Sequence, residues 1–122
     1  MGKGQQYRHL PAFLLLFLAT EEAYGGLLLS RLEAEDLQAD SAAVYRSLQD
    51  LEAEGAIASR WEVDSGGPPR KWYRITAVGL KSLHAWHADI LLRRRNLDFF
   101  LDTYSALFRA ATDLPGSDSN RR

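Results

Sequence analysis

Apolar and polar positions in the first third of the chain predict two helices joined by a polar break. The first helix can begin at Pro11, because the N–H that proline lacks has no partner in a first helical turn. The residues that follow, as far as Ala19, are apolar on nearly all faces, which indicates a helix buried on most sides. After the polar residues 20–22, a second short helix is predicted from Tyr24 to about Leu32, followed by an acidic turn.

The third predicted helix has a clear apolar face. Asp40 and Ser41 are both candidates for its N-cap, since either side chain can accept hydrogen bonds from the free N–H groups of the first turn. Gly55 ends the helix, because glycine takes the left-handed conformation after a C-cap without steric cost. The apolar face is formed by residues spaced i, i+4 and i+7, namely Val44, Leu48 and Leu51.

Beyond this glycine the pattern changes to that of a β-hairpin. Residues 57–63 end in alternating charged and apolar side chains, a period of two that predicts a strand. Residues 65–69 contain two glycines and two prolines, which favour a turn, and a second strand is predicted over residues 71–75. The hairpin carries a basic shoulder at Arg70 and Lys71.

A long helical pattern without proline follows Thr76, a candidate N-cap, and runs from Ala77 to about Ala111. Such a helix would be roughly 50 Å long at 1.5 Å per residue and would outreach a small domain, so it needs a partner. Leu83 begins a row of residues that repeats every seven positions, and a second row begins at His87. The predicted dimer seam comprises Leu83, Trp86, Ile90, Leu97, Leu101, Tyr104 and Phe108.

Three segments are therefore expected along the chain. Residues 1–76 form a helical domain that includes the hairpin, residues 77–112 form a helical dimerisation segment, and the polar residues 113–122 are predicted to be disordered. The charged run 93–96 interrupts the heptad rows. The long helix is thus either continuous with charges at the seam or kinked near Asn96.

This order of elements, mostly α with a small β-hairpin, predicts a winged helix-turn-helix domain plus a long C-terminal dimerisation helix. A helix fits the major groove of B-DNA, and a basic hairpin beside it can lie along the phosphates. We therefore expect a homodimer that binds a double-stranded DNA operator. Arg46 is expected to contact a guanine or a phosphate, and Tyr45 and Ser41 to contact phosphates. The candidate DNA contacts are Ser41, Ala42, Tyr45, Arg46, Gln49, Arg70 and Lys71.

The charge distribution makes any DNA surface local. The formal net charge is -1, so the chain lacks the basic surplus usual in nucleic-acid-binding proteins. Residues 36–55 contain five carboxylates against the single cation Arg46, although three of the carboxylates lie at the C-terminal end of the predicted helix, away from the groove. The cations expected to neutralise phosphates are Lys3, Arg8, Arg70, Lys71 and Arg74.

These segments carry a resemblance to the PadR family of bacterial transcriptional regulators, over about residues 11–95. The matching segments are Ala23–Gly26, Leu28, Arg31–Leu32, Val44–Ile57, Arg60–Trp61, Gly67–Thr76 and Gly79. The resemblance implies a dimeric, usually autorepressing winged-helix protein whose C-terminal helix forms most of the dimer contact. The chain departs from the family's pattern at Gly26, where an aromatic residue is usual, and at Ala42–Ala43, where Gly-Thr is common, so no operator sequence is carried over.

Other classes of protein are disfavoured by what the chain lacks. Without cysteine there is no disulfide, zinc–thiolate site or cysteine nucleophile, and a reducing cytoplasmic location is expected. The longest apolar run, residues 13–19, is shorter than the roughly 20 residues of a membrane span, and no signal-peptide cleavage site follows it. No catalytic motif is present, so we expect neither an enzyme nor a cofactor. His84 and His87 lack an obvious third ligand, so no metal is expected.

Two alternative functions stay open. Winged helices also serve as protein-interaction or scaffold modules without sequence-specific DNA binding, and the slightly acidic balance favours that function a little. A regulator can in addition sense a small-molecule effector at the dimer seam near Trp86, whose simpler role is dimer packing. Tyr45 and Arg46 have simpler roles too, as a packing residue between helices and as a solvated charge. Trp72 is expected to close the hydrophobic core.

Overall fold

The computed structural model describes residues 7–63 and 66–113 of the chain. The chain divides into two compact units, Met1–His87 and Ala88–Arg122. The first contains three helices, a small sheet and the beginning of a fourth helix, and the second contains the remainder of that helix. Residues 114–122 of the predicted disordered tail lie outside the described residues.

Four helices and three strands follow one another in the described residues. In chain order they are α1 (Leu10–Thr20), β1 (Ala23–Tyr24), α2 (Gly25–Ala34), α3 (Ser41–Ala53), β2 (Ile57–Glu62), β3 (Arg70–Ile75) and α4 (Ala77–Asp113). The strands form one antiparallel sheet in the order β1-β3-β2. The expected fold class, mostly α with a small β-hairpin, is confirmed, and the hairpin gains a third strand that the sequence did not reveal.

The hydrophobic core of the first unit lies between α1, α2, α3 and the base of the sheet. α1 has proline in its first turn, as expected, and buries most of its faces, although Leu16 is 47% exposed. Burial of each large aliphatic side chain contributes on the order of 1.5–3 kcal/mol relative to exposure. The largest fully buried side chains are Leu14, Leu15, Leu28, Leu32, Val44, Leu48 and Ile57.

β1 is a two-residue strand that pairs with β3, with Ala23 opposite Tyr73 and Tyr24 opposite Trp72. The sequence placed Tyr24 in a helix, but it is extended and α2 begins at Gly25. Because side chains alternate along a strand, Tyr73 is buried in the core, where burial raises the pKa of its hydroxyl. The prediction that Trp72 closes the core is therefore wrong. Its partly buried ring packs edge-on against the ring of Tyr24, with centroids 5.1 Å apart.

The end of α3, the base of the hairpin and the start of α4 meet at the carbonyl of Ala56. Gly55, with a φ of 80°, turns the chain out of α3 as expected. The N–H of Thr76 donates to the Ala56 carbonyl at 3.0 Å, and the Thr76 hydroxyl donates to the Gly55 carbonyl at 2.6 Å. The same hydroxyl accepts from the N–H of Gly79 at 3.1 Å and caps α4. A Cβ at Gly79 would overlap the Ala56 carbonyl, so this approach requires glycine.

α4 is helical at every residue from Ala77 to Asp113, including Asn96. Helical backbone thus continues through the charged run 93–96. The first unit contains its residues as far as His87. None of the helices within the described ranges is both long enough and apolar enough to cross a membrane.

The carboxylate of Glu52, in the last turns of α3, joins that helix to both strands of the hairpin. It accepts a hydrogen bond from the hydroxyl of Ser59 on β2 at 2.6 Å. Its other oxygen lies 3.4 Å from the ammonium of Lys71 on β3. The Ser59 hydrogen bond, and less strongly the charge of Lys71, lower the pKa of Glu52 against an opposing effect of burial. The ionised carboxylate therefore stabilises the position of the hairpin beside α3.

Replacing Glu52 with Gln should lower the free energy of unfolding at pH 7 by on the order of 0.5–1 kcal/mol, because the contacts of this charge are partly exposed. The pKa of Glu52 is lowered in the folded state, so its contribution is present above the unfolded-state pKa and is lost as pH falls through the folded-state pKa. Urea unfolding at a fixed protein concentration should show a difference between the two proteins that shrinks below about pH 4.

The matched control for this experiment is Glu54→Gln. Glu54 is exposed at the C-cap of α3, and this substitution removes the same charge without breaking an ion pair or hydrogen bond of the described residues. We expect it to leave the stability unchanged or slightly raised, because a negative charge is unfavourable at a helix C-terminus. A Glu52→Gln effect that persists undiminished at low pH would contradict the assigned role of the carboxylate.

Candidate nucleic-acid interface

α3 turns one face to the core and the opposite face to solvent. Its N-cap is Asp40, whose carboxylate accepts from the N–H of Ala43 at 2.8 Å, which decides between the two candidate caps. The apolar stripe expected from the sequence is buried. All five residues of α3 that were predicted to contact DNA are exposed, namely Ser41, Ala42, Tyr45, Arg46 and Gln49.

Tyr45 combines a packing role with an exposed position. Its ring lies over Gly25 in the first turn of α2, where a Cβ would overlap the ring atoms. Glycine at this position lets α2 and α3 approach each other and holds the tyrosine ring against the backbone. The residue nevertheless remains 45% exposed. Tyr45 therefore packs between two helices, which is the simpler role considered from the sequence, and its side chain is still accessible to a partner.

Arg46 is the exposed cation of α3. Within the part of the chain that the structure describes, its guanidinium has no ion pair or hydrogen bond, even though Asp50 lies four residues further along the helix. Two arginines of neighbouring elements are paired by contrast, Arg31 with Glu21 and Arg60 with Glu22. Arg46 thus presents its five N–H donors to solvent.

The two adjacent cations of the hairpin lie on opposite faces of the sheet. Arg70 is exposed, and its guanidinium stacks over the ring of Tyr24 with the carbon 4.5 Å from the centroid. Lys71 is partly buried on the face toward α3, where it pairs with Glu52. The sequence predicted a single basic shoulder, but alternation along β3 separates the two charges. Arg70 is free of carboxylate partners among the described residues, whereas the charge of Lys71 is balanced.

The face that carries Arg70 is a layer of alternating arginine and aromatic side chains. Arg60 of β2 lies opposite Trp72 in the register, with its guanidinium carbon 5.6 Å from the indole centroid. The Trp72 N–H donates to Glu62 at 2.9 Å, so one carboxylate shares this face. The sequence prediction missed Arg60, which the pairing of β2 with β3 would have revealed. Of the other cations expected at phosphates, Arg8 and Arg74 are exposed, and Lys3 lies outside the described residues.

Two residues of the predicted dimer seam contact the core of their own unit. Leu83 and Trp86, in the first turns of α4, are partly buried hydrophobic residues packed against that core. The indole of Trp86 meets the ring of His9 edge-on at 5.8 Å between centroids. Both side chains therefore help to hold the beginning of α4 against its own domain.

The remaining seam residues belong to the second unit. Ile90 is partly exposed, and four other residues of the seam are at least half exposed, namely Leu97 (63%), Leu101 (58%), Tyr104 (53%) and Phe108 (50%). They are spaced three and four residues apart, which places them on one side of the helix. Tyr104 and Phe108 have ring centroids 4.6 Å apart. An exposed apolar surface of this kind is typical of sites where proteins interact.

Side chains that could ligate a metal ion are not clustered in residues 7–63 and 66–113. No group of three or more histidine, aspartate or glutamate side chains in these ranges is placed to hold a metal ion. The site that the structure assembles is thus one of exposed polar, cationic and aromatic side chains on α3 and the hairpin.

Three solved structures similar to this chain are described as PadR family or PadR-like transcriptional regulators or as a potential transcriptional factor. A PadR family transcriptional regulator from Eggerthella lenta DSM 2243 is 29% identical, with a TM-score of 0.72 over 81% of this chain and 87% of that one. A PadR-like transcriptional regulator from Bacillus cereus strain ATCC 14579 is 25% identical, with a TM-score of 0.69 over 80% and 96% of the two chains. A conserved protein described as a potential transcriptional factor is 26% identical, with a TM-score of 0.77 over 89% and 98%.

A search of curated proteins finds no match to this chain. A family model, by contrast, matches residues 14–85, from α1 into the first turns of α4, and describes the transcriptional regulator PadR-like family. The matched range contains both surfaces described above, the exposed face of α3 and the hairpin. The chain belongs to the PadR-like family of transcriptional regulators.

Proposed function

We propose that this DNA-binding transcription regulator is a homodimeric, sequence-specific repressor that acts on double-stranded DNA in the cytoplasm. In this proposal the N-terminal half of α3 enters the major groove and the hairpin lies along the sugar–phosphate backbone. The observation that carries the proposal is the guanidinium of Arg46, which is unpaired within the described residues and lies on an exposed polar face of α3. A guanidinium in a groove can bind guanine or phosphate in two-point fashion.

The distribution of polar groups on α3 supports this orientation. Ser41, Ala42, Tyr45 and Arg46 occupy the first two turns, where a recognition helix meets base edges. The carboxylates of Asp50, Glu52 and Glu54 lie at the other end of the helix, and one of them is neutralised by the hairpin. The acidic balance of the segment therefore does not oppose DNA at the end proposed to enter the groove.

The hairpin supplies the phosphate contacts in this proposal. Arg70 is exposed near the turn and has no carboxylate partner within the described ranges, so it can neutralise a phosphate without first breaking an ion pair. Lys71 is proposed mainly to hold the hairpin beside α3 through its ion pair with Glu52. Any contact of Lys71 with DNA would be made while this ion pair is kept. Each phosphate neutralised releases counterions, so binding should weaken steeply as salt is raised.

The apolar side of the second unit supports a homodimer. Leu97, Leu101, Tyr104 and Phe108 are at least half exposed on one side of α4, and a second copy of the same helix would cover them. A two-fold dimer presents two copies of α3, so we propose an operator with two related half-sites. Repression follows if the dimer occupies DNA that RNA polymerase must contact.

An effector at the dimer seam stays a prediction. Trp86, the residue on which it was based, packs against His9 and the core of its own unit. A ligand at the seam would therefore have to affect Trp86 in this packed position. Quenching of tryptophan fluorescence by a metabolite, lost in Trp86→Phe, would support the presence of such an effector.

Arg46→Ala and Arg70→Ala should both weaken DNA binding, but in different ways. Arg70→Ala is expected to weaken binding to all duplexes about equally and to reduce the slope of log affinity against log salt by about one. Arg46→Ala should cost about 1–3 kcal/mol at the preferred duplex and relax the base preference at one position if it contacts guanine. If it contacts a phosphate instead, it should behave as Arg70→Ala does. Anisotropy titrations of labelled duplexes from the region upstream of the gene, at two salt concentrations, measure both.

Lys81→Ala is the control for these variants, since Lys81 is an exposed cation of the same unit outside the proposed interface. It should leave affinity and salt slope unchanged. Absence of any salt-sensitive, sequence-preferring complex with the unmodified protein, while the dimer stays intact, would favour the alternative of a protein-interaction or scaffold module.

Leu101→Glu should convert the dimer to monomer, because it places a carboxylate in the middle of the proposed seam. Arg95→Glu introduces the same side chain about half a helical turn from Leu97, on another side of α4, and should leave the dimer intact. Sedimentation equilibrium should give a mass near twice the 13.7 kDa of the chain for the unmodified protein and for Arg95→Glu.

Circular dichroism of Leu101→Glu separates dissociation from unfolding, since the first unit has its own hydrophobic core. A helical spectrum with a monomer mass is the expected result. A monomeric unmodified protein, or an undisturbed dimer in Leu101→Glu, would contradict the proposed seam.

A further inference from the structure

The guanidinium of Arg70, at the start of β3, lies over an aromatic ring instead of extending freely into solvent. Its carbon is 4.5 Å from the ring centroid of Tyr24, a half-buried residue of β1. Glu62 faces Arg70 in the strand register, but its carboxylate accepts from the N–H of Trp72, and no ion pair joins it to Arg70. Among the described residues, this exposed cation is therefore held by an aromatic face and not by a carboxylate.

The ring of Tyr24 is itself fixed by its neighbours. Tyr24 lies opposite Trp72 in the register of β1 and β3, and the two rings meet edge-on with centroids 5.1 Å apart. A Cβ at Gly26 would lie 3.3 Å from the Cε1 of Tyr24, which is tighter than an ordinary contact. Glycine, at a position where the family usually has an aromatic residue, thus leaves room for the ring. The ring is a fixed surface, whereas the arginine above it is exposed.

The residue after Tyr24 contacts α3. The backbone of Gly25 lies beneath the ring of Tyr45, where a Cβ would overlap the ring atoms. Two successive residues therefore contact the two surfaces proposed to bind DNA, the hairpin through Arg70 and α3 through Tyr45. Because consecutive Cα atoms are a fixed distance apart, this junction constrains where the stacked arginine lies relative to the exposed face of α3.

Stacking on a ring changes what an arginine loses when it binds a phosphate. A free arginine side chain populates many rotamers, and ordering it at an interface costs conformational entropy. A guanidinium over a ring is ordered beforehand, while the N–H donors at its edge stay available. Arg60, on the same face, lies over Trp72 but also pairs with Glu22. Arg70 has the stack without an ion pair among the described residues, so its charge is available to a partner.

We propose that Tyr24 is a positioning residue for DNA binding, whose ring holds the guanidinium of Arg70 in the orientation in which it meets a phosphate. This inference rests on the proposed DNA-binding function and gives a role to a residue outside the predicted DNA contacts. The ring acts through Arg70 and does not touch DNA. Since the group that it serves is a backbone phosphate, its contribution is the same for every duplex sequence.

The test is a double-mutant cycle of Tyr24 and Arg70, measured by anisotropy titration of the full-length protein on a duplex selected from random DNA. Tyr24→Leu keeps an apolar side chain against Trp72 but removes the aromatic face. It should raise the Kd about two- to fivefold, the scale of an exposed cation–π contact, and by the same factor on an unrelated duplex. In the Arg70→Ala background, Tyr24→Leu should leave the Kd unchanged.

Two further variants separate positioning from other roles of the residue. Tyr24→Phe keeps the ring without the hydroxyl and should bind DNA as the unmodified protein does. The matched control pairs Tyr24→Leu with Arg46→Ala, since Arg46 belongs to α3 and not to the stack, and these two effects should be additive. In NMR spectra of the free protein, the ring should shift the methylene protons beside the Arg70 guanidinium upfield. This shift should be kept in Tyr24→Phe and lost in Tyr24→Leu.

An equal loss of affinity on Tyr24→Leu with and without Arg70 would overturn the assignment, because the ring would then act only on the stability of the fold. Weaker binding by Tyr24→Phe overturns it too, since the hydroxyl would then contact DNA directly. Unchanged or tighter binding by Tyr24→Leu also refutes it, while the phosphate contact of Arg70 stands. If Arg70→Ala binds as well as the unmodified protein, that phosphate contact fails together with this inference. Failure of the unmodified protein to bind any duplex refutes the proposed function itself.

Discussion

The carbonyl of Ala56 fixes the relation between the parts of the first unit that matter for function. It accepts from the N–H of Thr76, and it lies so close to Gly79 that no side chain fits there. α3 ends just before this carbonyl, β2 begins just after it, and β3 and α4 meet at Thr76. Displacing one of these elements would break the hydrogen bond between Thr76 and Ala56 or separate Gly79 from the Ala56 carbonyl. The hairpin and α3 therefore keep a fixed spacing, which a DNA-binding surface requires.

A second contact, further from this junction, keeps the hairpin beside α3. The ionised Glu52 takes a hydrogen bond from β2 and an ion pair from β3, so both strands are tied to the helix by one carboxylate. This explains how an acidic residue is accommodated in a protein that binds a polyanion. The charge is satisfied within the fold, while the guanidinium of Arg46, which has no partner among the described residues, lies six residues earlier in the helix.

The order and kinds of elements followed from local patterns in the sequence. Proline in the first turn of α1, the apolar stripe of α3 and the glycine after it each have a local physical cause, and each expectation is confirmed. The exposed face of α3 also followed, since residues off the apolar stripe of an amphipathic helix face solvent. The long helix α4 was expected from an uninterrupted pattern without proline.

What the sequence did not show depends on contacts between distant residues. Tyr24 is extended because β3 offers it a strand edge, and a two-residue strand has no period of its own to detect. Arg70 and Lys71 are adjacent in sequence but opposite in space, because the register of β3 puts one beside Tyr24 and the other beside Glu52. Pattern alone therefore cannot tell which cation is paired within the fold.

The heptad pattern shows a related limit. It placed Leu83 in the same row as the exposed residues of the second unit, although Leu83 packs against the core of its own domain. One helix thus serves two surfaces in succession, and a periodic pattern does not reveal where the first ends. Only the packing of the domain core distinguishes them.

In the proposed complex a dimer presents two copies of α3, each with its hairpin, to duplex DNA. Selection of bound duplexes from random DNA by the unmodified protein tests this arrangement most directly, because the outcome depends on both the DNA-binding surface and the dimer. The predicted result is enrichment of an inverted repeat whose half-site centres are separated by about 10 base pairs or a multiple of that spacing. Recovery of no enriched sequence, or of single unpaired half-sites by a dimeric protein, would contradict it.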